Sequence, residues 1–143
     1  MKYIIYTDGA HSSSEENIAI GYVIRTKENY VTMGAGSFTT GDIGIAEAIA
    51  VHLAVSYLLK NVELTEEDSV EIVTDSLYVI RTFKGIRTGK VVELKDRRLV
   101  QVKDTLEQLT KLCKWKFIKV ESHDDDTNCN KLVDRLAKYY LQM

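Results

Sequence analysis

The sequence predicts an α/β fold: a five-stranded mixed sheet, three antiparallel strands and then two parallel ones, with helices on both faces. Three observations predict it. Three β-rich runs follow one another at the start of the chain, which suits an antiparallel meander. Two later apolar runs are each set between helical patterns, which suits right-handed parallel crossovers. Every helical stretch carries an apolar face that needs a surface to cover.

Residues 2–8 are rich in β-formers and stop at Gly9, so they read as the first strand. A polar loop, His11 to Asn17, follows. Ile18 to Thr26 and Tyr30 to Thr39 are two more strands, joined through Lys27-Glu28-Asn29 as a hairpin. Gly41 and Gly44 punctuate a loop. From Ile45 to Lys60 the period becomes helical, with Ile45, Ile49, Leu53 and the alanines at 46, 50 and 54 on a broad face. Val70 to Thr74 is a short strand of the kind buried on both faces. Ser76 can cap a brief helix from Leu77 to about Phe83. After the glycine-punctuated basic stretch Lys84–Lys90, Leu99, Val102, Leu106, Leu109 and Cys113 recur at helical steps. Trp115 to Val120 is the fifth strand. A polar loop, 121–128, leads to a last helix striped by Leu132, Val133, Leu136, Ala137, Tyr140 and Leu141. There is no repeat, low-complexity tract or linker, so residues 1–143 form one domain.

At 45% hydrophobic and 28% charged residues the composition is that of an ordinary globular chain rather than a disordered or fibrous one. No apolar run approaches the roughly 18 residues of a membrane span, and the N-terminus makes a poor signal peptide. The expectation is a cytoplasmic protein, monomeric, with no membrane partner. Cys113 and Cys129 are too far apart for a metal knuckle or redox pair and are expected to be reduced thiols. Net charge is −2, but Arg81 to Lys103 holds eight basic residues against Glu93 and Asp96. Such a segment on an otherwise acidic chain suits a solvated helix face or a surface that tracks phosphates.

Four acids stand in distinctive settings: Asp8 in Tyr-Thr-Asp-Gly-Ala, Glu47 in Ala-Glu-Ala, Asp75 in Val-Thr-Asp-Ser and Asp134 in Val-Asp-Arg-Leu-Ala. Each has a plain alternative: a turn residue at Asp8, a helix cap at Asp75, a dipole-favoured charge at Asp134. Glu47 has the weakest one, because a carboxylate on an Ile/Ala helix face is unfavourable without a partner. In open α/β sheets ligands collect beyond the carboxyl ends of the strands, where Asp8 and Asp75 fall. Gathered together, the four would make an oxygen site suited to Mg²⁺.

Tyr-Thr-Asp-Gly, a helical Ala-Glu, Thr-Asp-Ser before Tyr78-Val79, then a histidine and Asn-x-x-x-Asp-x-x-Ala together resemble type 1 ribonuclease H, in that family's order from Tyr6 to Ala137. The resemblance implies a ribonuclease H-like fold and hydrolysis of the RNA strand of RNA–DNA hybrids, leaving 5′-phosphate and 3′-hydroxyl ends. It implies that Asp8, Glu47, Asp75 and Asp134 hold two Mg²⁺ ions, with Mn²⁺ as a substitute. It makes His123 the histidine that assists proton transfer or product release, and Asn130 a nucleic-acid contact. Backbone around Gly9 and Ala10 is the candidate reader of the RNA 2′-hydroxyl, since glycine permits close approach. Lys84, Arg87, Lys90, Arg97 and Arg98 are candidates for the phosphates. Gly41-Asp42-Ile43-Gly44-Ile45 and Leu77 depart from the amide-bearing residues common at those places in the family. Two alternatives follow: a nuclease of this fold with relaxed substrate choice, or a catalytically silent hybrid-binding module.

Overall fold

The structure, a computed structural model, describes residues 1–12, 17–39, 41–90, 93–121 and 128–141. It contains β1 (Lys2–His11), β2 (Ile18–Arg25), β3 (Tyr30–Phe38), α1 (Ile43–Asn61), β4 (Ser69–Thr74), α2 (Leu77–Phe83), a 3₁₀ turn (Lys84–Thr88), α3 (Arg97–Leu112), β5 (Lys114–Lys119) and α4 (Asn128–Leu141). The strand order is β3-β2-β1-β4-β5, antiparallel across the first three and parallel across β1-β4-β5. The expected sheet is the one observed.

Two cores flank it. The larger lies under α1 and α3, where Ile5, Ile20, Ile24 and Ile72 meet Ala50, Ala54, Leu58, Val102, Leu106 and Leu109. The smaller lies under α4, where Tyr6, Val23 and Val73 meet Cys129 and Val133. Alternation along β1 explains the division, since successive side chains point to opposite faces. Within the larger core a polar contact joins α1 to α3, His52 Nδ1 to Thr105 Oγ1 at 2.8 Å. Trp115 Nε1 donates to Thr110 Oγ1 at 2.8 Å, so the indole is buried without an orphaned N–H.

Helix α1 is long and apolar enough, by length and composition alone, to match a membrane span, which corrects the sequence expectation that no stretch is. Ten of its nineteen residues are buried, and it is enclosed by the sheet on one side and α3 on the other. Its apolarity has that origin. Both cysteines are buried free thiols, as expected.

Three differences from the sequence expectation have a physical cause in the packing. β1 runs past Asp8 to His11, because residues 8–11 pair with Gly21 to Ile18 of β2. Gly44 belongs to the first turn of α1, which Asp42 caps by accepting from Ile45 N at 2.9 Å. The basic stretch after α2 forms the 3₁₀ turn, anchored by buried Ile86.

Candidate active site

Asp8 comes from β1, Glu47 from α1, and Asp75 is the single residue between the end of β4 and Ser76, the cap of α2. The parallel β1–β4 ladder ends at Tyr6 opposite Val73. Asp8 and Asp75 therefore both lie just past its carboxyl end, although β1 itself continues. Ser76 Oγ accepts from Val79 N at 3.2 Å, so the capping role belongs to Ser76, leaving Asp75 for other duty.

Ligand oxygens of Asp8, Glu47 and Asp75 lie within 4.8 Å of one another. Glu47 is only 6% exposed, and among the described residues its Oε2 is a buried oxygen with no hydrogen-bond partner. Gly9 N donates to Asp8 Oδ1 at 2.9 Å. Burial, then the nearby charges of Asp8 and Asp75, push the Glu47 carboxyl up to about 10. Burial, then Asp75, push Asp8 up to about 7, against the lowering pull of the Gly9 N–H. Without a cation the cluster holds protons at neutral pH; with one it would release them. Three clustered carboxylates, one of which keeps a buried oxygen without a hydrogen bond, are a donor set that suits a divalent hard cation.

The glycine after Asp8 is what lets Glu47 come so close. A Cβ at Gly9 would stand 2.8 Å from Ala46 Cβ and 3.0 Å from Glu47 N. The close approach that Gly9 permits is thus that of α1, and Gly9 and Ala10 are paired to Ile20 and Ala19 of β2.

Asp134 is not part of the tight cluster. It sits on α4, its side chain 43% exposed, and accepts an ion pair from Lys138 at 3.0 Å one turn on. Its charge still reaches Asp8 as the smallest of the causes that raise it. Asn130 lies in the first turn of α4. His123 lies outside the described residues.

Lys84, Arg87 and Lys90 are exposed and line a cleft of about 540 Å³ with Arg81, Thr82, Gly85 and Thr88. This cleft is at the far end of α2 from Asp75, about 10 Å of helix away. Arg97 and Arg98 open α3; Arg98 is tied to the cap Asp96, its backbone N donating at 2.8 Å and its guanidinium pairing at 3.3 Å. The carboxylate cluster and the basic cleft are therefore separate regions. Sequence reasoning passed over Thr74, buried beside Asp75, whose only signal is a hydroxyl where the strand's buried positions are otherwise aliphatic.

A family model described as RNase H matches residues 1–142. Among solved structures, RNase H1 from the halophilic archaeon Halobacterium salinarum NRC-1 superposes with a TM-score of 0.71 at 19% identity, over 99% of this chain and 98% of that one. The N-terminal RNase H domain of a Mycobacterium tuberculosis protein, solved as a fusion with maltose binding protein, gives 0.74 at 16% identity, over 99% and 94%. At such identities these likenesses speak for the fold. No curated protein matches.

Proposed function

The chain belongs to the ribonuclease H family, and on that footing we propose that it is a divalent-metal-dependent endoribonuclease that cuts the RNA strand of RNA–DNA hybrids. The observation that carries the reading is the Asp8–Glu47–Asp75 cluster, three carboxylates within 4.8 Å with one oxygen buried and unpartnered. Kept charged and unneutralised, such a group destabilises the fold, so its presence argues against a silent binding module.

In this reading Asp8, Glu47 and Asp75 would hold Mg²⁺ or Mn²⁺, with Asp134 contributing from its more exposed position. When bound, a pair of such ions supplies Lewis acidity for a water nucleophile and for the leaving 3′ oxygen, giving 5′-phosphate and 3′-hydroxyl ends. The protein's own part is to fix the three carboxylates on β1, α1 and the β4–α2 turn, and to bury Glu47 so that its charge is satisfied only by a cation. His123 is assigned proton transfer or product release. Lys84, Arg87 and Lys90 are assigned phosphates of the paired strand, with Arg97 and Arg98 beyond them. Gly9, Ala10 and Asn130 are assigned to the minor-groove side, where 2′-hydroxyls are displayed.

The test is cleavage of labelled hybrid, duplex DNA, duplex RNA and single strands, with and without Mg²⁺. Cleavage of hybrid alone, dependent on Mg²⁺, is expected. Equal cleavage of duplex DNA would establish the relaxed nuclease instead, and binding without cleavage at any ion concentration would refute enzymatic activity.

A further inference from the structure

Of the three clustered acids, Asp75 alone stands outside regular structure. Asp8 is held by the β1 ladder and Glu47 by α1, whereas Asp75 occupies a one-residue turn. With Asp8 and Glu47 fixed by regular structure, the geometry of the cluster, with oxygens within 4.8 Å of one another, depends on how the turn presents Asp75. What holds that turn is a pair of hydroxyls.

Thr74 is fully buried at 0% exposure. Its Oγ1 accepts from Ser76 N at 3.1 Å, and its carbonyl accepts from Val120 N at 3.0 Å. Ser76 in turn caps α2 through Val79 N. The peptide on each side of Asp75 is thereby bonded, to Val120 just past β5 on one side and to the Thr74 hydroxyl at the end of β4 on the other. The remaining buried positions of β4 are Val70, Ile72 and Val73. Valine has threonine's shape and would suit that apolar setting better, because a buried hydroxyl is unfavourable unless bonded. The hydroxyl at 74 makes its bond to the turn that carries Asp75, and a core-filling role does not require it.

We infer that Thr74 is a positioning residue: its hydroxyl holds the Asp75–Ser76 peptide so that the Asp75 carboxylate is presented beside Asp8 and Glu47. The inference rests on the metal-site reading above and goes beyond it in assigning a residue that touches neither ion nor substrate.

Calorimetric titration of the whole chain with Mn²⁺ alone tests it, alongside thermal unfolding in EDTA. Thr74→Val is expected to bind Mn²⁺ about tenfold more weakly, and Thr74→Ser to bind like the wild type. Thr105 supplies the control for losing a buried hydroxyl elsewhere, since it is 7% exposed and its Oγ1 donates to Gln101 O at 2.8 Å. Thr105→Val is expected to lower the Tm while leaving Mn²⁺ affinity unchanged. Wild-type affinity in Thr74→Val, failure of serine to restore it, or an equal loss in Thr105→Val would overturn the assignment. A wild type that binds no Mn²⁺ would bring down the metal-site reading itself, and this inference with it.

Discussion

Replacing Asp8 with asparagine should make the metal-free protein more stable while abolishing its activity. The size of the gain follows from the cluster. Two ionised carboxylates with oxygens within 4.8 Å repel by about 3 kcal/mol at an effective dielectric constant near 20. A second route gives a similar figure: raising Asp8 from 3.8 to about 7 corresponds to about 4 kcal/mol lost at pH 8. Partial exposure of Asp8 discounts both, so a gain of about 2–3 kcal/mol is expected, or roughly 5–10 °C in Tm for a chain of this length. The sign has a pH signature. A carboxyl whose folded pKa lies above its unfolded value costs nothing below about 4, and its penalty grows until the pH passes about 7. The asparagine variant should therefore match the wild type in EDTA at pH 4 and exceed it fully by pH 8. Mg²⁺ should raise the wild-type Tm at pH 8, with proton release, and leave the variant's little changed. A variant that is less stable at pH 8, or whose gain is the same at pH 4, would show that repulsion and burial of charge are not what this cluster stores.

The other acids should separate by rank. Asp75→Asn is expected to lower hybrid cleavage at least 1000-fold with the fold intact. Asp134→Asn should cost less than about tenfold, because Asp134 is 43% exposed, paired with Lys138 and outside the tight group; equal losses would refute that ranking. Alanine at Lys84, Arg87 and Lys90 together should weaken hybrid binding mainly at low salt and flatten its salt dependence by up to about three phosphate contacts; a salt-independent loss would deny them that role. His52 carries the opposite pH sign to Asp8. Burial holds its imidazole below the usual range, so it contributes stability above about pH 6.5 that is lost as the pH falls through its folded value. His52→Gln should flatten the decline in Tm between pH 7 and 5, and an unchanged slope would count against that assignment.

The strands and long helices were legible because burial on one face writes a period of two or 3.6 into the chain. Where contacts do overrule local preference, the reading slipped. Asp8-Gly9 looks like the end of a strand, yet pairing with Ile20 and Ala19 carries β1 on to His11. Gly44 looks like a loop residue, yet it sits in the first turn of α1 with the Tyr78 ring against it, 3.0 Å from where a Cβ would be. The acidic cluster was legible for a different reason: Glu47 on an Ile/Ala face is something folding alone would select against. Asp134 shows the limit of that logic. It stands beside an apolar stripe just as Glu47 does, but the rotation of α4 turns it toward solvent and Lys138, and nothing in the local sequence sets that rotation. The packing of α4 on the sheet sets it, at Gly21 opposite Asp8, where a Cβ would come within 2.8 Å of Val133 O. A carboxylate out of place in an apolar pattern therefore marks a site, while its rank within that site depends on how closely two backbones can pack.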